Sequence, residues 1–250
     1  MQQPLLSVIT VVFNNTKDIE RTICSVVDQT YQNIEYIVID GASTDGTLAT
    51  IHQYENQIAK IISEPDKGIY DAMNKGLKIA IGDYVLFMNS GDEFFEKDTV
   101  QKVFSSAPNA DIYYGETEII NEDLVSQGRR RHHTPKKLSI NSFKYGMNVC
   151  HQAIYIKRSL ISFYNPEYTL SADIDWILSA LSKANTTVNT KMYVAKYLIG
   201  GQSKQKHRQS LIERYHIFKK YYGFLPNLVH HFIIAIKLAG YWLVHRKTND

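Results

Sequence analysis

Residues 6–13 (LSVITVVF) form an almost unbroken apolar, β-branched run, the pattern of a strand buried on both faces, as strands of parallel sheets are. The period then changes. Ile19, Ile23, Val26 and Val27 recur at helical spacing behind Thr16, Asp18 and Glu20, which supply a polar, acidic helix start. A second apolar run, Ile34–Ile39, ends in Asp40 and the turn-rich GASTDGT. A third, short strand is expected around Ile61–Ser63, after which Ile69, Ala72, Met73, Gly76, Leu77 and Ala80 mark one face of a helix. Tyr84–Met88 reads as the fourth strand and delivers Asn89-Ser90-Gly91-Asp92. Strands alternating with helices predict an α/β fold with a mostly parallel sheet, right-handed crossovers and helices on both faces.

In such sheets ligands bind beyond the carboxyl ends of the strands, and the polar clusters fall at those ends. Asn14-Asn15 follow the first strand, Asp40 to Asp45 the second, Glu64 to Asp66 the third and Asn89 to Asp92 the fourth. After about Val100 the pattern weakens, with short strands expected at Ala110–Tyr114 and Gln152–Ile156. Between them lies a basic loop, Arg129–His133. Asp173-Ile174-Asp175-Trp176 opens a further helix, another is suggested by Leu211, Tyr215, Phe218 and Tyr222, and an apolar segment, Leu225–Val244, follows.

Three stretches carry a resemblance when read together: VIDGASTDGT (Val38–Thr47), EPDKGIYDAMNKGLKIAIGDYVLFMNSGD (Glu64–Asp92) and SADIDW (Ser171–Trp176). In order and spacing they are similar to the inverting, family 2 glycosyltransferases, and most of all to bacterial enzymes that build O-antigen, capsule or exopolysaccharide. The resemblance covers roughly residues 5–205. It implies a GT-A fold with a Rossmann-like sheet: a catalytic domain over residues 1–205, with a nucleotide-sugar half to about residue 100 and an acceptor half from 101. Residues 206–250 would form a C-terminal helical extension.

The implied reaction moves a sugar from a nucleotide-diphosphate donor, expected to be a UDP-sugar, to a hydroxyl of a lipid-linked glycan, and it sets three tasks. The nucleotide must be gripped: by resemblance Asp40 binds base or ribose, Val12, Asn14 and Asp66 complete that pocket, and Asn74 lies near the donor. Diphosphate charge must be neutralised, which a hard divalent cation does. Here the family's D-x-D-type motif has become Asn89-Ser90-Gly91-Asp92, so Asp92 is expected to hold Mg²⁺ or Mn²⁺ while Asn89, Ser90 and Gly91 line the donor. His207, behind the Gly200-Gly201 hinge, is a candidate to close over diphosphate or metal. Inversion by direct displacement also needs one base for the acceptor proton, which the resemblance places at Asp173. Asp175 is the alternative, although positions i and i+2 of a helix do not face each other. Asp45 reads as a turn acid bonded to nearby backbone, Trp176 as core or sugar platform, Lys67 and Lys75 as solvated or phosphate-binding, and His151 as core or acceptor-side.

Charge adds a membrane to this picture. The net charge of +3 divides into +8 from Lys196 onward and −5 before it. Leu228, Phe232, Ala235, Ile236, Ala239 and Leu243 make one face of the final segment, and His230, Lys237, Tyr241 and His245 lie near another. The segment is short for a bilayer span, which takes about 20 predominantly apolar residues. It reads instead as an in-plane interfacial helix attracted to anionic lipid, with packing on the catalytic core or a dimer interface as the alternatives. The expected partners are therefore the nucleotide sugar, a polyprenyl-diphosphate-linked glycan acceptor and an anionic membrane surface. A homo-oligomer stays open, and nucleic acid is disfavoured because the basic residues adjoin an apolar segment rather than spaced aromatics. Cys24 and Cys150 make neither a disulfide framework nor a zinc pattern, and residues 1–6 carry no basic leader pattern. The expectation is a cytoplasmic protein, peripheral on the inner face of the membrane. Two rivals remain: a nucleotidyltransferase, for which Val12–Asn15 lacks the Gly-rich phosphate loop, and a catalytically silent nucleotide-sugar-binding or scaffold protein, which the eroded acidic motif keeps open.

Overall fold

The computed structural model describes residues 3–130, 133–199 and 207–245, the side chains of 207, 235 and 237–245 excepted. In chain order the elements are β1 (Leu6–Val12), α1 (Thr16–Val27), β2 (Ile34–Asp40), α2 (Thr47–His52), β3 (Lys60–Ser63), α3 (Ile69–Ile79), β4 (Tyr84–Phe87), β5 (Glu93–Phe94), α4 (Thr99–Ser105), β6 (Ile112–Ile120), β7 (Ser126–Arg129), β8 (Ile154–Lys157), α5 (Ala172–Leu181), β9 (Thr187–Leu198), α6 (His207–Tyr222) and α7 (Phe224–His245). One sheet runs in the order β3-β2-β1-β4-β8-β6-β9-β5, with β7 paired to β6.

The apolar runs account for the first half of that order. β1, β2, β3 and β4 pair in parallel, and every residue of β1 and β4 is buried. Register puts Val12 beside Asp40 and Asp40 beside Ser63, so the polar strand ends come out level. Helix α3 packs against β1 and β2 at a spacing only glycine permits, since a Cβ at Gly76 would stand 2.5 Å from Ile9 Cγ2. The second half is mixed: β8 is antiparallel to β4 and β6, whereas β6 and β9 are parallel. Aromatic rings fill the space between this half and α3. Tyr164 stacks on Trp176 (centroids 5.2 Å apart) and on Tyr70 (5.2 Å), with Phe87 edge-on to Tyr164 and Trp176.

Trp176 is therefore core, its indole N–H donating to Ser162 O at 2.9 Å. The tail divides into two parts. Helix α6 packs on α5 and buries Ser210, Glu213, Ile217 and Phe218; of the apolar positions expected to mark its face, Phe218 is buried, Tyr215 and Tyr222 are half-buried and Leu211 is exposed. Along α7, Leu225, Leu228, Val229, Phe232 and Ile236 are all exposed. Among the described residues no helix is long and apolar enough to cross a membrane.

Candidate active site

The loops after β1 and β2 are stitched together by short polar side chains. Asn14, at φ 46°, donates its backbone N–H to Ser43 Oγ (2.8 Å), and its Oδ1 accepts from Thr44 N–H (2.9 Å). Asp45 accepts from the hydroxyl and N–H of Thr47 and from Thr16 N–H. The hydrogen bonds from Thr47, then from Thr16, hold its carboxyl well below the usual range, so Asp45 is a turn acid at the starts of α1 and α2. Val12 contributes backbone alone, its carbonyl accepting from Gly41 N–H at 2.9 Å.

Asp40 is wholly buried. Its Oδ2 accepts from Ser43 N–H (3.0 Å) and Ser63 Oγ (2.6 Å), while Oδ1 is buried without a partner. An unpaired buried acceptor is costly, and this one stands at the level of the polar strand ends. Asp66 lies against the same place: its Oδ2 would be 2.5 Å from a Cβ at Gly41, and its Oδ1 accepts from Gly68 N–H (2.8 Å). The exposed Phe13 ring borders Gly41 as well.

At the end of β4, Ser90 Oγ accepts from Asn15 Nδ2 (2.9 Å), joining this loop to the first. Gly91 N–H donates to Thr22 Oγ1 (2.9 Å), and its carbonyl accepts from Arg21, which also pairs with Asp18 and Glu93. Asp92 is 5% exposed. Its Oδ2 accepts from Gln152 Nε2 (2.8 Å) and its Oδ1 from Leu198 N–H (3.2 Å). Burial pushes its carboxyl up to about 7, against the pull of His151, Leu198, Gln152 and Arg21. Asn89 donates an Nδ2–H to His151 Nε2 (3.0 Å), and its Oδ1 is buried without a partner.

The acceptor half reaches this cluster through Leu198 of β9 and through a 3-10 turn, His151–Ala153. Gln152 turns to Asp92, and His151 lies between Asn89 and Asp173, with Nδ1 3.8 Å from Asp173 Oδ2. Asp173 stands in the first turn of α5. Its Oδ1 accepts from Ile174 N–H (3.0 Å) and from the Tyr70 hydroxyl (3.4 Å). Burial, reinforced by Asp173, raises the Tyr70 phenol well above its usual value, so Tyr70 stays a proton donor there. Asp175 points away, its Oδ1 2.8 Å from Lys220 Nζ.

The structure thus gathers Asn89, Asp92 and Asp173 around the His151–Gln152 turn, the first two by hydrogen bonds and Asp173 by a 3.8 Å contact, and sets Asp40 and Asp66 together at the neighbouring strand ends. It leaves Asn74 out: both its side-chain atoms are bonded to the backbone of Tyr164, at 2.7 and 3.0 Å. Lys75 pairs with Glu64 and Pro65 O. The Gly200-Gly201 hinge and the His207 side chain lie outside the described residues. Sequence reasoning missed Gln152 as the partner of Asp92 and the His151 bridge to Asn89; their adjacency at the start of an expected strand was the available signal. Arg130, whose Nη1 is buried without a partner, was read only as part of a basic loop.

The chemistry of these residues suits a divalent cation: the Asn89 Oδ1 orphan is an acceptor awaiting a donor or a cation, and the Asp92 carboxyl belongs to the same tight turn, its N–H donating to Asn89 O at 2.9 Å. Among the described residues no cluster of three or more His, Cys, Asp or Glu could hold a metal, so the protein supplies few ligands and a diphosphate would supply the rest.

The family model for glycosyl transferase family 2 matches residues 7–165. An uncharacterized glycosyltransferase of Mycobacterium tuberculosis (strain CDC 1551 / Oshkosh) is 35% identical over 187 residues, covering 71% of this chain and 69% of its own. A PGL/p-HBAD biosynthesis glycosyltransferase of Mycobacterium bovis (strain BCG / Pasteur 1173P2) is 28% identical over 207 residues, 79% of this chain and 78% of its own. Among solved structures, S. aureus TarS 1–349 in complex with UDP-GlcNAc superposes with a TM-score of 0.69 at 20% identity, covering 86% of this chain but 64% of that one. The mannosyltransferase PcManGT of Pyrobaculum calidifontis, in complex with GDP-Man and Mn²⁺, superposes with a TM-score of 0.68 at 16% identity, over 96% of this chain and 72% of its own. At these identities the structural likeness is one of fold.

Proposed function

Since the chain belongs to glycosyl transferase family 2, we propose that it transfers a sugar from a UDP-sugar, with inversion, to a hydroxyl of a polyprenyl-diphosphate-linked glycan, in the synthesis of a bacterial surface polysaccharide. The observation that carries the reading is the His151–Gln152 turn. It ties a helix-borne carboxylate, Asp173, to the strand end that bears Asn89 and Asp92.

Each group then has a task that follows from its surroundings. Asp40 presents one unpaired acceptor, Oδ1, held in place by the two bonds on Oδ2. It suits a single imide N–H such as that of uracil, with Asp66 beside it for ribose. Asp173 takes the proton of the acceptor hydroxyl as that oxygen bonds to the anomeric carbon and the bond to the nucleoside diphosphate breaks, so no covalent enzyme intermediate forms. Tyr70 and Ile174 N–H hold Asp173 Oδ1, leaving Oδ2 facing His151 and the incoming hydroxyl. A bound Mg²⁺ or Mn²⁺, carried by Asp92 and Asn89 Oδ1 together with the donor diphosphate, would neutralise the leaving group's charge. Relatives lend support: TarS is solved with UDP-GlcNAc and PcManGT with GDP-Man and Mn²⁺.

Calorimetric titration with UDP, GDP and dTDP, each with Mn²⁺ and with chelator, tests the donor site. Binding of UDP that tightens with Mn²⁺ is expected. Absence of binding by all three nucleotides would instead favour the silent scaffold.

The acceptor class rests on α7. Its exposed strip reaches 71% exposure at Leu225 and 68% at Phe232, and Lys219 and Lys220 lie exposed just before it. Apolar contact beside basic charge suits an anionic lipid surface and supports a location at the inner face of the membrane. Truncation after Tyr222 is expected to release the protein from anionic liposomes while sparing nucleotide binding. Co-sedimentation unchanged by the cut would remove the membrane from the reading.

A further inference from the structure

The N-terminal end of α5, where Asp173 stands, is not held by its own sequence. Ser171, the N-cap, makes no capping bond to the helix; its hydroxyl instead pairs with Ser210 Oγ of α6 at 3.0 Å. The backbone donors leading into the helix converge on Glu213, also on α6. One carboxylate oxygen accepts from the N–H (3.1 Å) and hydroxyl (3.0 Å) of Thr169, and the other from the N–H groups of Leu170 (2.9 Å) and Ser171 (2.9 Å). Glu213 is 8% exposed and sits in the buried stripe of α6 beside Ile217. A carboxylate in that position is tolerated because both oxygens are fully used.

A second tie lies two turns along the same face of α6. Lys220 Nζ meets Asp175 Oδ1 at 2.8 Å, and Tyr221 donates its hydroxyl to the Asp175 carbonyl at 3.1 Å. Helix α6 therefore grips the chain at residues 169–171, just before Asp173, and again at 175, just after it. Two grips on either side of one residue fix both where the helix starts and how it is rotated.

We infer that Glu213 is a positioning residue for the transfer reaction: through residues 169–171 it sets the place of the Asp173 carboxylate, with Lys220 fixing the rotation of α5. The inference rests on Asp173 being the base proposed above. A base displaced by about 1 Å from its hydroxyl can lose on the order of 10² in rate, without change at the nucleotide pocket, which lies on other elements. Glutamine at 213 keeps the shape but turns an amide NH₂ toward the N–H groups that the carboxylate accepts, so the grip fails on one side.

The test compares the full-length wild-type chain with Glu213→Gln, Lys220→Gln and Asp173→Asn. Nucleotide release is followed from the UDP-sugar that the wild type turns over fastest, with nucleotide affinity by calorimetry and a melting curve for each variant. The expected result for Glu213→Gln, below its melting range, is a fall in kcat of about 10- to 100-fold with donor KM and nucleotide Kd within about twofold of wild type. Lys220→Gln gives a smaller fall of the same kind and carries the test should Glu213→Gln not fold. Unchanged kcat, or a loss in which KM, Kd and melting temperature worsen together, overturns the positioning role. Retained turnover in Asp173→Asn overturns the base assignment instead, and loss there with full activity in Glu213→Gln removes only the inference made here.

Discussion

Asp173→Asn is expected to leave nucleotide affinity near the wild-type value and to lower turnover by roughly 10²–10⁴, the scale of a lost general base. The replacement is nearly isosteric. Its Oδ1 still accepts from Ile174 N–H and from Tyr70, which stays protonated because burial raises its phenol, so the start of α5 is undisturbed. What disappears is the basic oxygen that faces His151. Asp175 cannot take over, because its side chain is turned to Lys220 on the far side of the helix turn. Calorimetry for binding and nucleotide release for turnover separate the two effects, and near-normal turnover in the variant would move the role to His151.

Asp92→Asn is expected to make the protein more stable above pH 7 and to abolish cation-dependent donor binding. The sign follows from the surroundings. The Asp92 carboxyl is raised from 3.8 to about 7 by burial, so the folded state holds its proton more tightly than the unfolded chain. Below about pH 4 both states are protonated and nothing is lost. As pH rises through 7 the folded protein must carry a buried charge, and stability falls by on the order of 4 kcal/mol. Asparagine carries no charge at any pH: its oxygen can accept from Leu198 N–H, and Gln152 can flip its amide to meet the new NH₂. The variant should therefore melt roughly 5 °C or more above wild type at pH 8, with the gap closing toward pH 4.5. Its UDP affinity should no longer respond to Mn²⁺. A variant that melts no higher at pH 8 would show that Asp92 carries no buried-charge cost, and one that binds UDP with the full metal effect would show that Asp92 does not hold the cation.

The parts of the fold that could be read from the chain are those buried on both sides. β1, β2 and β4 are apolar apart from Ser7, Thr10, Glu35 and Asp40 because helices or loops cover both faces, and α3 shows its stripe because one face meets β1 and β2. β9 gave no such sign. Its twelve residues are mostly half-buried, with Asn189, Lys191 and Lys196 among them, so they mimic a loop, and its length emerges only from pairing with β6 and β5. The helices α2 and α4 are too short for a helical period to repeat.

The candidate site divides the same way. Acids at strand ends announce themselves by position, as Asp40, Asp66 and Asp92 do, and Asp173 by its place at a helix start. Whether each is left free to meet a ligand depends on partners far away in sequence. Asn74 has the chemistry of a ligand contact but closes on Tyr164, 90 residues on. Gln152 looks unremarkable until Asp92, 60 residues earlier, is found on it. Glu213 reads as a surface acid on a basic helix until four donors of another segment converge there.

The distance in sequence between Glu213 and the loop it grips has a consequence for how the protein is made. A chain emerging from the ribosome folds its N-terminal part first, so the four parallel strands with Asp40 can close while residues 169–171 still lack the carboxylate that follows some forty residues later. A nascent or prematurely terminated chain would therefore acquire the means to hold a nucleotide before the means to use it. If Glu213 positions Asp173 as proposed, competence for chemistry arrives late in synthesis, with the same stretch of polypeptide that brings the exposed apolar face of α7.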